Sequence, residues 1–430
     1  MPRQAWTLVA SRGVSTLGST LTSYGLDVWV YRETGSYQVF AMLAVLTALP
    51  SLLFAPFAGY LSDRLDKRRV LLACDLSSML AVAVAFVAYR AGQLQVPVVA
   101  GVVLVLALAT EMRWSSLGPL VSMLVSREHL GRMNGMQQAF RGATVMLGPV
   151  LGAVGLDLLG LPLLLGLDTV SYVVAIAGLI GVSVPPRAKS EATFVFRNFW
   201  DELTYGFRWV FERPPLRTLL LFFMTLNIGI SIFTATFTPY VLSRASAPLL
   251  GLGLGLQGAG MFFTGMLLVR HRRKGGTANH ERRVVLGSLA FGVCMVAWGL
   301  SRHGAALCAV ALALGAMTSL VMASSQTIWQ SHVPVQIQGK VFAVRTVLSF
   351  GLAPLSILLS VPLAATVFRP LLLRSDLAVA IWGAGEAAAL GLMVSSLGAA
   401  VAACAIGLLL RGGLRLEPAP AVPAQRSATA

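Results

Sequence analysis

The chain has 430 residues, of which 56% are apolar and only 12% charged, whereas a soluble domain carries roughly 25% charged residues. So little charge cannot cover a water-facing surface, which excludes a soluble enzyme and makes nucleic acid a poor explanation for the net charge of +16. The four cysteines all fall inside apolar stretches, which speaks against a disulfide framework or a Cys/His metal cluster and assigns them to packing.

The N-terminal segment, Met1 to Trp6, is basic and runs into an apolar stretch that passes Leu26 without a small-residue cleavage site. It therefore reads as a first membrane span over 7 to 31 rather than a removable signal. Apolar runs of about 20 residues between polar breaks predict five more spans at 37 to 60, 70 to 89, 97 to 124, 132 to 157 and 161 to 183. The connection that follows opens with Pro185-Pro186 and then carries Phe199, Trp200, Leu203, Phe207, Val210 and Phe211 at helical spacing, with charged residues between them. That pattern predicts an amphipathic helix on the membrane surface. Six further spans are predicted at 216 to 242, 249 to 269, 284 to 301, 304 to 326, 341 to 367 and 378 to 410. The expected organisation is an N-terminal six-helix bundle (1–183), a cytoplasmic linker (184–215), a C-terminal six-helix bundle (216–411) and a disordered Pro/Ala-rich tail (412–430).

Basic residues fall on alternate sides of these spans: 25 of the 33 lie on the side of the termini, Arg12 and Arg345 among them, and six on the other. By the positive-inside rule both termini are cytoplasmic, in a multi-pass protein of the inner membrane.

The chain repeats itself. Gly59, Arg64, Lys67 and Arg68, between spans two and three, match Gly265, Arg270, Arg273 and Lys274 at an offset of 206 residues, and Asp63 has lost its counterpart, to Val269. Gly131-Arg132, before the fifth span, matches Gly339-Lys340, before the eleventh, and each pair precedes a mid-span proline, Pro149 or Pro354. Both members of each match enter the membrane in the same direction, which describes two six-helix units in parallel repeat, the organisation of transporters with a midplane site.

Gly59, Asp63, Arg64, Arg68 and Arg69 reproduce the loop signature of the major facilitator superfamily, with Asp66 in place of its second glycine, and the chain resembles that family over nearly its whole length. The resemblance implies an all-α membrane protein with twelve transmembrane helices in two six-helix repeats. The stretches Asp27 to Ser36, Glu128 to Gly135 and Leu167-Asp168 before Ser171-Tyr172 are similar to the branch that contains macrolide and enterobactin exporters. That branch implies efflux of a drug-like, siderophore or other amphipathic metabolite by a proton-coupled antiporter, acting as a monomer and without a cofactor. Gly148, Pro149 and Gly152 resemble the family's fifth-span antiporter motif in part, whereas the usual fourth-span arginine motif is absent around Arg113.

Ionisable groups at membrane depth are costly unless paired or hydrated, so each is a functional candidate. Asp27, Glu111, Arg113 and Arg141 lie on spans one, four and five, which line the central cavity in the resembled fold. Glu111 and Arg113 stand about 200° apart round their helix and do not face each other, so the expected pairs are Glu111 with Arg141, or Asp27 with Arg113. Asp168 and Glu386, on spans six and twelve, are expected to be structural. Asp63 is expected to cap the N-terminus of the eleventh span, where free N–H groups and the helix dipole favour an anion, while the basic residues around it pair across the same interface as a cytoplasmic latch. Gly253 to Gly258 fits a dinucleotide pattern but lies inside an apolar span and reads as helix packing. No Walker A sequence is present, so the partners expected are a small-molecule substrate, protons and membrane lipids. An importer of the same fold and an intramembrane enzyme are the competing readings.

Overall fold

The computed structural model describes residues 3–35, 39, 42–43, 45–47, 50, 53–182, 196–244, 247–270 and 277–414, and every regular element among them is helical. The basic loop at 271–276, the first part of the linker and the tail beyond 414 lie outside the described residues. Nine helices among those described are long and apolar enough to cross a membrane.

Helices α1 (Arg3–Thr34), α2 (Ala55–Arg64), α3 (Lys67–Arg90) and α4 (Val96–Leu124) come first. Helix α5 (Arg127–Ile180) has 54 residues, about 80 Å at 1.5 Å per residue and more than twice the roughly 30 Å of a hydrocarbon core. It is broken at Gly160, whose φ of 75° and ψ of 170° would strain any side chain. The two crossings therefore meet in the short gap that the hydropathy left between 157 and 161. Helix α6 (Phe196–Phe211) occupies the amphipathic part of the linker and buries Trp209 and Val210.

Helices α7 (Pro214–Leu242), α8 (Ala247–Arg270), α9 (Thr277–Leu300) and α10 (Gly304–His332) follow. The predicted eleventh span is not one helix: α11 (Gln338–Phe350) gives way at Gly351 to α12 (Ala353–Leu363), a π-turn over Ala364–Phe368 and α13 (Arg369–Leu373). Proline has no N–H to continue the ladder, so Pro354 in the sequence accounts for the break. The last predicted span is also divided. Helix α14 (Asp376–Trp382) is separated from α15 (Glu386–Leu410) by Gly383 and Gly385 at φ 91° and 103°, so Glu386 opens the final crossing rather than lying within it.

The surface is turned inside out relative to a soluble protein. Leu158, Leu358 and Leu410 are 75%, 73% and 84% exposed, as lipid-facing side chains must be, while the helical interiors satisfy their own backbone. The core of the second half centres on Trp298, whose ring lies 5.2 Å from that of Phe233 and 4.7 Å from that of Phe237.

Two seams join the N-terminal helices to the C-terminal ones. Helices α5 and α8 run antiparallel, with Gly135 and Ala139 against Gly265, and Gly142 and Met146 against Gly258. A Cβ added at Gly258 would lie 2.5 Å from the Met146 nitrogen, and one at Gly265 would lie 2.5 Å from that of Ala139. The backbones touch because small residues allow it. Toward the other face the seam parts, since at Gly255 and Gly251 an added Cβ meets nothing within 4 Å. The second seam sets α2 against α11.

Candidate functional site

At the second seam, Asp63 lies at the end of α2 with its carboxylate against the first turn of α11. It accepts hydrogen bonds from the backbone N–H of Gly339 at 2.8 Å and of Lys340 at 2.7 Å. First-turn N–H groups have no partner within their own helix, and the dipole adds a partial positive charge. One turn earlier, a Cβ at Gly59 would lie 2.7 Å from the Gly339 carbonyl oxygen, so the glycine sets the distance at which the carboxylate reaches α11. Burial pushes the Asp63 carboxyl up to about 6, against the opposing pull of Lys67, the two N–H groups and Lys340.

The other residues of the loop have varied partners. Arg64 lies over the Tyr60 ring, 4.5 Å from its centroid, and the Lys67 ammonium donates to the Ser62 carbonyl at 2.7 Å. Asp66 caps α3 by accepting from the Arg69 N–H at 2.8 Å. Arg68 corrects the expectation of a pair across the seam: it donates to the Ile180 carbonyl at 2.7 Å and stays within its own half. The cap that Asp66 provides begins α3 at Lys67 and turns the next residue toward the end of α5.

The same face is closed along the other seam by Arg132, which donates from Nε to the Val269 carbonyl at 2.8 Å. Asn134 donates to Thr327 at 2.9 Å and to Gln330 at 2.7 Å, and Gln330 donates on to the Gly118 carbonyl at 3.1 Å, so α4, α5 and α10 are tied together there. The fifth-span residues Gly148 and Gly152 face α1, where an added Cβ would lie 2.7 Å from Thr20 and from Tyr24; with Pro149 inside the helix, this stretch packs α5 on α1.

Between the two sets of helices lies a cavity of about 380 Å³, walled by α1, α4, α5, α10 and α11. Of the four membrane charges singled out from the sequence, it brings two together: Arg113 and Arg141 line it, whereas Asp27 and Glu111 do not. Arg113 contributes to the cavity wall with Thr110, Trp114 and Leu117 of the same helix, and Glu111 lies outside that lining. Both expected ion pairs are therefore corrected. Arg113 donates to the Ser78 hydroxyl at 2.9 Å and lies over the Tyr172 ring, while Arg141 is exposed to the cavity. Asp27 and Glu111 are each half-buried, with no ion pair among the described residues.

The charges that are paired are ones the sequence reading passed over. Arg12, counted there with the cytoplasmic basic residues, is buried on α1 and makes a two-pronged pair with Asp75 of α3 at 2.5 and 2.6 Å. Removing one partner from such a pair costs roughly 3–5 kcal/mol, since the other charge is left buried. Arg345, likewise counted as cytoplasmic, also lines the cavity, donates to Gln326 at 2.6 Å and lies over the Trp329 ring. Asp75 carried a signal, being a lone acid within the third apolar run. Asp168, expected to be structural, is fully buried and accepts from Ser171 at 3.0 Å and from Ser19, a cavity residue, at 3.3 Å. Its Oδ2 has no aligned hydrogen bond, although the Thr22 hydroxyl is close.

Comparison with known proteins bears on this architecture. The family model of the Major Facilitator Superfamily matches residues 8–358. Macrolide efflux protein A of Streptococcus pyogenes is 24% identical over 216 residues, which is 50% of this chain and 53% of that protein, so the chain spans about half the length of this curated relative. Among solved structures, the human organic anion transporter MFSD10 (TETRAN) superposes with a TM-score of 0.69 at 17% identity, over 94% of this chain and 100% of the other. A bacterial homologue of the iron transporter ferroportin, in its outward-facing state, superposes with a TM-score of 0.68 at 15% identity, over 94% and 98% of the two chains. At these identities the structures establish the fold, and the family model extends over most of the sequence. An all-helical chain with two glycine seams, a central cavity and the loop signature at Gly59 to Arg69 thus belongs to the major facilitator superfamily of transporters.

Proposed function

We propose that the protein is a secondary-active exporter of a small amphipathic organic compound, working by alternating access in exchange for protons. The observation that carries the reading is the asymmetry of the cavity: one face is sealed by Asp63 on α11 and by Arg132 on α8, and the α5–α8 seam parts beyond Gly258. In this reading residues 1–183 and 216–411 are the two moving bundles, α6 lies on the cytoplasmic membrane surface between them, and the sealed face is cytoplasmic, as the side holding most basic residues should be. The name of the curated relatives, macrolide efflux protein, supports the outward direction.

A coupling carboxylate must reach the cavity and exchange a proton as the helices move. Asp168 fits better than Asp27 or Glu111, because Ser19 connects it to the cavity wall and its Oδ2 is free of aligned bonds. Proteoliposomes with an imposed pH gradient test both parts, using anionic, neutral and cationic naphthalene derivatives as probes. At least one should be driven out of the compartment that faces the basic loops, and Asp168→Asn should abolish the drive while leaving exchange at equal pH. Accumulation only toward that compartment would make the protein an importer. Loss of the drive in Glu111→Gln or Asp27→Asn, with Asp168→Asn unaffected, would move the coupling site to the residue that responds. Cysteines placed at Gly275, outside the described residues, and at Gln93 should label from opposite sides of the membrane.

A further inference from the structure

The cavity holds more positive charge than its own walls neutralise. Arg12 is compensated by Asp75, but among the described residues no Asp or Glu lines the cavity to compensate Arg113, Arg141 or Arg345. The described partners of Arg113 and Arg345 are neutral: a serine hydroxyl and a tyrosine ring for one, a glutamine oxygen and a tryptophan ring for the other. Arg141 has no protein partner among the described residues and is open to the cavity. Asp168 makes no ion pair with Arg113, and even when ionised it would offset one guanidinium of three. A cation held at membrane depth without a counter-charge is expensive, and such groups mark substrate and ion pathways.

We infer that the transported compound is an amphipathic organic anion whose carboxylate, sulfonate or phosphate is held by the guanidiniums of Arg113, Arg141 and Arg345, which outnumber the acids near the cavity. The inference rests on the reading of this cavity as the transport site. Arginine suits the task, since its planar donors match an oxyanion in two-pronged fashion and it remains charged. The amphipathic half of the assignment comes from the apolar wall, where Trp114, Leu117, Phe140, Met322 and Phe342 offer a surface for a ring or chain.

Three shape-matched probes test the sign of the charge: naphthalene-2-sulfonate, naphthalene-2-sulfonamide and N,N,N-trimethyl-2-naphthylammonium, titrated calorimetrically into the full chain in phosphatidylcholine nanodiscs. The sulfonate should bind at least tenfold more tightly than the other two. Arg141→Gln should weaken the sulfonate about 10- to 100-fold, the range for losing a charge-assisted hydrogen bond, and leave the sulfonamide within about twofold. Arg141→Lys should restore part of the loss, by keeping the charge without the two-pronged geometry, which separates a lost charge from a damaged fold. Tightest binding of the ammonium probe, no binding of any probe, or an Arg141→Gln protein that holds the sulfonate normally would each overturn the inference. Adding phosphatidylglycerol to the nanodiscs identifies the source of the anion: competition with the sulfonate assigns a lipid headgroup, and its absence a soluble organic anion. An ammonium probe that binds and is expelled from proteoliposomes would sink the charge assignment and leave the exporter standing. A sulfonate bound through Arg141 but never moved would do the reverse.

Discussion

The two seams between the halves occupy equivalent places in the repeat and are closed by different chemistry. In one, Gly59 brings α2 onto α11, and the Asp63 carboxylate binds the N–H groups of Gly339 and Lys340. In the other, Gly265 brings α8 onto α5, Val269 stands where Asp63 would be, and its backbone carbonyl accepts from the Arg132 side chain. The difference follows from where the partner helix begins. Helix α11 starts at Gln338, so Gly339 and Lys340 are in its first turn with N–H groups to offer, whereas α5 starts at Arg127 and has spent those of Gly131 and Arg132 on its own ladder. An acid has donors to meet at one seam and none at the other. Close approach is thus shared by the repeat, and charge capping belongs to the first half alone.

The largest effect should come from breaking what the seams share. Gly59→Val and Gly265→Val each place side-chain atoms against backbone that cannot move aside, and overpacking of this kind costs roughly 1–3 kcal/mol. Transport by either variant should fall about tenfold or more in proteoliposomes; normal transport by one of them would show that its seam does not need to close. Asp63→Asn should matter next, because it keeps the shape but turns one of the two oxygens that accept from Gly339 and Lys340 into an amide NH2 that cannot accept. A loss of about 1–1.5 kcal/mol corresponds to a shift of around tenfold toward the opposite-facing state, read from the reactivity of cysteines placed in the cavity. Val269→Asp should bring no gain, since it buries an acid where no N–H is free.

The pH dependence sharpens the contrast. Burial raises the Asp63 carboxyl from 3.8 to about 6 in the closed arrangement, so that arrangement binds the proton more tightly than one in which the group is hydrated. Its stabilising contribution is therefore fully present below 3.8 and is lost as the pH rises through about 6. Acidification from pH 7 to pH 5 should favour the closed face several-fold in the parent, and Asp63→Asn should flatten the response. The smallest effect is expected for Arg132→Gln, which removes one side-chain donor to a carbonyl, worth about 1 kcal/mol. A change of more than tenfold in its cysteine reactivity would mean that the second seam is the principal lock.

Hydropathy and charge along the chain were enough to delimit most of the crossing segments, to place an amphipathic helix near Phe199 to Phe211, and to mark Gly59 and Gly265 as equivalent, because these properties belong to single segments or to segment-by-segment repetition. They also pointed Asp63 at the start of α11, where free N–H groups and the helix dipole favour an anion. The breaks at Gly351 and at Gly383 to Gly385 were smoothed over by windows that register apolarity and not backbone conformation. The cavity charges needed the tertiary structure. Depth in the membrane is written in the sequence, whereas which side of a helix meets the cavity is not, so only the packing of α4 distinguished Arg113, which lines the cavity, from Glu111, which does not. Arg12 and Asp75 are 63 residues apart, and Asp63 and Gly339 are 276 apart. An ion pair or a helix cap forms only within a few ångströms, and across such separations that distance is set by how the helices pack against one another.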